Sequence, residues 1–317
     1  MTSMSAQPVP ASRGEDGGGE SGGGSGRRAR GASRVVRARI SPWERLVRIV
    51  RYRELLVTMV RKELKIKYKN SVLGFAWSLL NPLLYLVIFW IAFEKILGSG
   101  IPSFPIWLLS GLLVWNLFST GLSSATTSVV GNAGLVKKVS FPREILPLAA
   151  VGSMLVHFFL QGAVLLAVLL IVRWHVAWAY LPMVPVALVA LLLIAGSLGI
   201  LLSALNVYLR DTQHFLELAL LAWFWVTPIV YSFQQVATKG GWFAKAWMTN
   251  PVTPIVVLFQ RAIYAKTETS GGTKLLPDWS LGGYALYLGW SFLFGFIVLA
   301  VAVAVFGRAE VNFAEEL

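Results

Sequence analysis

Three histidines, at positions 157, 175 and 214, stand in separate segments of a chain that has no cysteine. No zinc set, thiol nucleophile or Ser-His-Asp order can be assembled from them, and no paired catalytic carboxylates occur. No Gly-x-x-x-x-Gly-Lys-Ser/Thr stretch is present, so the chain offers no phosphate cradle of its own. His157 and Gln161 lie one helical turn apart in an uncharged stretch, where a neutral imidazole hydrogen-bonded to a neighbour is the economical reading. What the sequence does offer is cationic. Arg61, Lys62, Lys65, Lys67 and Lys69 fall in one short helical window, and anionic headgroups attract such residues at about 1 kcal/mol each. A second basic group, Lys137-Lys138-Val139-Ser140-Phe141-Pro142-Arg143-Glu144, reads either as a loop that sets membrane topology or as a docking element for a soluble partner.

The elements that carry these residues are apolar. Hydrophobic residues make up 56% of the 317 and charged residues 14%, well short of the quarter typical of soluble domains. Val72–Phe93, Ile101–Val136, Ile145–Val172, Val176–Leu209 and Trp279–Gly307 carry no charge, and Thr212–Thr238 carries only Glu217. A helix crosses the hydrocarbon core with roughly 20 apolar residues, which predicts an all-α integral membrane protein with six spans. They are placed at about 72–93, 104–130, 146–172, 180–206, 214–235 and 281–306. Ile101–Val136 as one helix would measure about 54 Å, so a break is expected at Gly131-Asn132-Ala133-Gly134.

Residues 1–40, rich in Gly, Ser and Arg, read as a disordered basic tail. Residues 41–71 read as an amphipathic interfacial helix opened by Pro42. Tyr52, Leu55, Leu56, Met59, Val60, Leu64 and Tyr68 lie on one face; Glu54, Thr58, Arg61, Lys62, Lys65 and Lys69 lie on the other. Glu63 and Lys67 are spaced for an i,i+4 pair. That helix is an anchor or, more sharply, a transmitter of motion. Residues 72–307 form the membrane domain and 308–317 a short tail. The first 71 residues carry 16 basic and six acidic side chains, which places the amino end in the cytoplasm, and six spans return the carboxyl end there. No nucleic-acid fold accompanies the net charge of +13.

Between spans 5 and 6, Ala246–Gln260 is apolar but too short to cross. Asn250-Pro251 and Pro254 break it, predicting a re-entrant pair of short helices, with a surface loop as the plainer reading. Asn81-Pro82 and Thr227-Pro228 are expected to interrupt spans 1 and 5, as hinges or as static kinks. Glu217 is expected to pair with Arg210 or another basic residue near the surface.

Four stretches, in order, resemble one family: RKELKIKYKNSVLGFAWSLLNPL (61–83), LVKKVSFPREILPL (135–148), LNVYLRDTQHFLELALLAWFWVTPIVYS (205–232) and NPVTPIVVLFQRAIY (250–264). Together they resemble the permease subunit of type-2 ABC transporters, in the branch that exports bacterial surface polysaccharides. The resemblance covers about 45–310 and implies that two copies of the chain pair with two copies of a separate ATPase, which binds the ATP and Mg; this chain would hold no cofactor and perform no hydrolysis. It further implies that Lys137, Lys138, Phe141, Pro142, Arg143 and Glu144 belong to a coupling helix seated on that ATPase. Helices at 246–264, with Asn250, Pro251, Pro254 and Phe259, would form an external gate.

On that footing the cargo is a glycan on a polyprenyl diphosphate, of O-antigen, teichoic-acid or cell-wall galactan type. The diphosphate gives Arg61, Lys62, Lys65, Lys67 and Lys69 a purpose. Sugar C–H faces pack on aromatic rings, which makes Tyr85, Trp223, Trp225 and Tyr231 candidates for the glycan path. Trp and Tyr also gather at bilayer interfaces, as suits Trp77 and Trp90. A drug or lipid exporter of the same fold is the first alternative. An ion-coupled transporter would need buried carboxylates, for which Glu217 is the sole candidate, and a membrane glycosyltransferase would need clustered acids that are missing.

Overall fold

The computed structural model describes residues 42–68, 76–96, 98, 100–238, 240–268, 272 and 274–317. The tail expected over 1–40 and the lysine at 69 lie outside the described residues. Apart from one isolated bridge between Glu268 and Lys274, the regular elements described are helical. They are α1 (Pro42–Arg51), α2 (Arg53–Tyr68), α3 (Ala76–Phe89) with a π-helical extension (Trp90–Ile96), α4 (Phe104–Gly131), α5 (Ala133–Lys138) and α6 (Ile145–Ile171). Then come α7 (Met183–Tyr208), α8 (Thr212–Val226), α9 (Phe233–Ala237), α10 (Gly241–Thr249), α11 (Thr253–Ile263), α12 (Leu281–Ala309) and, after a 3-10 turn, α13 (Phe313–Glu316).

Among the described residues, α4, α6, α7 and α12 are long and apolar enough to cross a bilayer. The two remaining expected spans are shorter. α3 has 14 residues, about 21 Å, before its π extension, and its helix runs on through Asn81-Pro82. α8 stops after 15 residues, about 22 Å, so the span expected at 214–235 is not one helix. The reason is Pro228: it has no N–H and forces Thr227 into an extended conformation (φ −96°, ψ 128°).

α4 is the centre of the bundle. It packs on α6 and α7, and α7 in turn packs on α12. Apolar helices in lipid associate through close packing, so small residues mark the crossings. A Cβ added to Gly199 of α7 would stand 2.7 Å from the Cβ of Ala125 of α4. One added to Gly295 of α12 would stand 2.8 Å from Cγ of Leu193. Gly199→Val should therefore destabilise the bundle by about 1–3 kcal/mol. The check is a lowered thermal midpoint of the detergent-solubilised protein, with Gly131→Ala, at an open position, leaving it unchanged.

The ends of the bundle differ. The basic end gathers Lys62, Lys137, Lys138 and Arg143; the far end gathers the segments 100–103, 172–182, 227–238, 240–268 and 274–280. At the basic end α2 crosses α6, with Cγ2 of Val60 3.0 Å from a Cβ built on Gly152. Leu55, Leu56, Met59, Val60 and Leu64 are half-buried, while Glu54, Thr58, Arg61 and Lys65 are exposed, as an amphipathic helix requires. Two details differ from the expectation. Tyr52 sits exposed in the turn between α1 and α2. Lys67 forms no ion pair with Glu63; its amine lies 3.9 Å from Sδ of Met154, and burial against that apolar surface lowers its pKa from the ordinary lysine value.

At the far end, α10 and α11 form a pair of short helices joined by a turn that packs against α12. Trp290 Nε1 donates to the carbonyl of Thr249 (3.0 Å) and Ser291 Oγ to that of Pro251 (2.7 Å). These two residues lie about 14 Å along α12 from its far end, so the turn between α10 and α11 reaches about a third of the way along that helix. Asn250 makes the turn, its Oδ1 accepting from the N–H of Val252 (3.0 Å), and Pro254 stands in the first turn of α11. α11 is buried at every position but Arg261.

Candidate functional site

Three places carry the residues that the sequence singles out. The first is the basic end. Pro142 cannot continue a helix, and Val139 is already extended (φ −126°, ψ 136°), so the short helix covers 133–138 rather than 135–144. Lys137, Lys138, Val139 and Ser140 are exposed, and Val139 is 51% exposed. The remaining expected docking residues turn inward. Phe141 is half-buried against the cluster that includes Val136, Leu146 and Phe306. Pro142 is buried, and Glu144 is 3% exposed and takes an ion pair from Arg45 (2.7 Å). Arg143 donates to the backbone carbonyl of Glu310 and lies over the ring of Phe313 at 5.7 Å. Burial raises the pKa of the Glu144 carboxyl, with Arg45 pulling the other way. The presented surface is thus 137–140, and Val139 joins it on exposure alone.

Beside it, Arg61 and Lys65 are exposed on α2, and Lys62 donates to Oδ1 of Asn132 at the start of α5. Lys67 points away from this group, toward α6. Glu217 pairs neither with Arg210 nor with a lysine; it faces His214 at 3.8 Å on the exposed side of α8.

The second place is the break after α8. Trp223 Nε1 donates to Oδ1 of Asn250 (2.8 Å), and Nδ2 of Asn250 donates to Oγ1 of Thr227 (3.0 Å). Gln260 Nε2 takes the carbonyl of Pro228 (3.0 Å), and Trp107 Nε1 takes that of Ile229 (2.9 Å). Trp247 Nε1 donates to the hydroxyl of Tyr231, which donates to the carbonyl of Trp225 (2.7 Å). The carbonyls around the break are therefore met by Trp107 of α4, Gln260 of α11 and Tyr231, whose hydroxyl is in turn held by Trp247 of α10. Trp223 and Tyr231 serve this bracing, whereas Trp225 is 50% exposed. Tyr85 falls within the helical backbone of α3; its side chain lies outside what is described. Of the expected gate residues, Asn250 is half-buried, Pro251 and Pro254 are buried, and Phe259 is 1% exposed, edge-on to Phe158 at 6.0 Å. The sequence shows the proline and the aromatics but not which carbonyl each indole meets.

The third place was hidden inside an uncharged span. Asn116, Ser119, Thr120, Ser123, Ser124 and Thr127 form a row along one side of α4, half-buried or exposed. Thr120 donates to the carbonyl of Asn116 and Ser119 to that of Trp115 (2.8 Å), which satisfies the hydroxyl protons and leaves the oxygens free to accept. The row runs about 17 Å from Asn116 to Thr127, and Asn132, bonded to Lys62, follows it at the basic end. At its upper end Asn116 bonds Gln161 of α6 (3.3 Å) beside a small cavity lined also by Leu83 of α3. His157 bonds the carbonyl of Ser153 (2.9 Å) instead of Gln161. The signal was the three-to-four spacing of polar residues, legible in the sequence but masked by the mean hydropathy of the span. Among the described residues no group of three or more His, Asp or Glu stands close enough to hold a metal ion.

Residues 54–264 match the sequence profile of the ABC-2 type transporter family. The chain belongs to that family. The ABC-2 region so matched runs from α2 to α11, including the basic loop 137–140, the row on α4 and the break. Arg45, α12 and α13 lie beyond it. Among relatives, an O-antigen export system permease of Klebsiella pneumoniae is 28% identical over 264 residues, 83% of this chain and 95% of the relative. Another, from Myxococcus xanthus, is 32% identical over 227 residues, 69% of this chain and 84% of the relative. The polysialic acid transport protein of Escherichia coli is 23% identical over 209 residues, 64% of this chain and 78% of the relative.

Proposed function

We propose that this ABC-2 permease exports a lipid-linked polysaccharide, carried on a polyprenyl diphosphate, across the bacterial cytoplasmic membrane. The observation that carries the reading is similarity to O-antigen export permeases over nearly their whole length. Two copies enclose the path, and two copies of a cytoplasmic ATPase, which hold ATP and Mg, dock on residues 137–140 of each. The basic end faces the cytoplasm, α3 and α8 complete six crossings, and both termini are cytoplasmic. Arg61, Lys62 and Lys65 collect the diphosphate on the inner surface. The hydroxyl row of α4 and Trp225 line the way, and α10 and α11 shape the outer opening. Ion coupling is set aside with the family, and the charge positions agree: Glu217 is exposed at the end of α8, and no carboxylate lies within α4, α6 or α7.

The test is reconstitution of the permease with its ATPase in sealed vesicles loaded with lipid-linked glycan. ATP-dependent delivery of glycan to the opposite face, read by an impermeant lectin, is the expected result. Export of a fluorescent lipid in place of glycan would move the reading to a lipid exporter. Val139→Asp together with Lys138→Glu should reduce the co-purifying ATPase at least about tenfold, the equivalent of about 1.4 kcal/mol. Undiminished co-purification would remove residues 137–140 from the docking surface.

A further inference from the structure

Arg45, Glu144 and Glu310 come from three places far apart in the sequence and meet in one group, in which Glu144 is buried and Arg45 and Glu310 are half-buried. Arg45 of α1 bonds Glu144 Oε1 at 2.7 Å with Nη1 and Glu310 Oε1 at 2.6 Å with Nη2. The guanidinium is 3.1 Å from where a Cβ on Gly307 would stand, so α12 meets Arg45 at a residue without a side chain. Arg143, next to Glu144, bonds the Glu310 carbonyl and covers Phe313. Phe313 is fully buried, edge-on to Phe306 at 5.3 Å and tilted against Tyr208 at 6.2 Å. The hydroxyl of Tyr208 donates to the carbonyl of Ala309 (2.7 Å), which adds the end of α7.

Taken at face value this is an expensive way to hold helices together. Burying a carboxylate and a guanidinium costs solvation that apolar packing would not, so charge at this place is weak evidence for stability alone. What charge pairs supply is direction: two forked bonds from one planar guanidinium fix the relative position of both carboxylates. The loop 137–140 is four residues from Glu144, and among the described residues the segment's charged ties to α1 and to the end of α12 are the Arg45 group and the Arg143 bond to the Glu310 carbonyl.

We propose that Arg45, Glu144 and Glu310 are positioning residues for coupling. They bind the docking loop to the interfacial helix α1 and to the end of α12, so that a push on the loop moves all three as one body. The inference rests on residues 137–140 being the ATPase docking surface. A nucleotide-driven shift of that loop would then reach α12, a bundle helix, through the Arg45 guanidinium instead of being absorbed in the extended segment 139–142.

The experiment compares three permease variants in complex with the partner ATPase: Arg45→Lys, Glu310→Gln, and the neutral triple Arg45→Met, Glu144→Met, Glu310→Met. The triple removes all three charges at once, so no carboxylate is left without its guanidinium. Three quantities are read: ATPase co-purified, thermal midpoint, and glycan exported per ATP hydrolysed. The expected result is unchanged co-purification in all three, with export per ATP falling at least fivefold in Glu310→Gln and in the triple. Arg45→Lys should keep part of it, since one ammonium reaches one carboxylate but cannot fork to two. An unchanged export-to-ATP ratio in the Glu310→Gln and triple variants, whatever happens to the thermal midpoint, overturns the proposal and leaves the group a structural tie. The docking surface itself is judged separately by the Val139→Asp, Lys138→Glu variant, whose co-purification fails or holds independently of this ratio.

Discussion

Asn250→Leu should cost the permease roughly 2–4 kcal/mol of stability, because one side chain makes three hydrogen bonds at the break in α8. Leucine has nearly the same size but leaves the Trp223 indole N–H, the Val252 N–H and the Thr227 hydroxyl without this partner. Thr227 and Val252 are fully buried and Trp223 is half-buried, so each orphaned group bears its own desolvation cost. Asn250→Asp separates this from a volume effect. A carboxylate still accepts from Trp223 and Val252, but it loses the donation to Thr227 and adds the cost of burying a charge without a cationic partner, so it should fall well below native at neutral pH despite its matching size. The measurement is the thermal midpoint of purified protein for the three chains. A leucine variant as stable as the native chain would mean that the turn is held by the packing of α11 alone.

Gln260→Leu is not expected to behave in the same way. Its Nε2 bonds the Pro228 carbonyl, yet its Oε1 is buried without a partner. Replacement removes one good bond and one unsatisfied oxygen together, and the two terms oppose. The contrast matters because both residues occupy the same corner and sequence alone would rank them equally.

The long helices were legible because their cause is local. α6 and α12 lie within two or three residues of the stretches that mean apolarity marks out, and α4 ends beside the glycine cluster at 131–134. The turn at Asn250-Pro251 was legible for the same reason. Where position depends on a neighbour, the reading ran out. Nothing in KKVSFPRE says that Lys137 and Lys138 face out while Glu144 faces Arg45, because Arg45 is 99 residues away. Trp223 and Tyr231 are aromatic in any reading. That they brace a chain break rather than stand free follows only from where α10 brings Trp247 and from the turn that follows it. The span expected at 214–235 erred by treating Pro228 as a kink. A kink needs the freed carbonyls to stay within one helix; here side chains of α4 and α11 and the Tyr231 hydroxyl take them, and the helix ends.

The row on α4 gives the prediction with the largest effect on transport. A chain without cysteine allows single thiols to be placed at Thr120, Ser123 and Thr127, and at Phe159 and Leu166 of α6 as apolar exposed references. Thiols react as thiolates, which form in water and not against hydrocarbon. In the assembled transporter the three α4 positions should react with a charged, membrane-impermeant thiol reagent at least about tenfold faster than the α6 positions, and lipid-linked glycan should slow them. Cross-linking between copies without glycan protection would assign the row to the contact between protomers. A bulky side chain gives the complementary result. Thr127→Trp fills the open side of α4 without entering the packed side that meets Gly199, so assembly and ATP hydrolysis should persist. Export should fall by about tenfold or more, which on a rate-limiting passage corresponds to about 1.4 kcal/mol of added barrier. A tryptophan at 127 that leaves export untouched would take the hydroxyl row out of the path and return the aromatic of α8, Trp225, to first place.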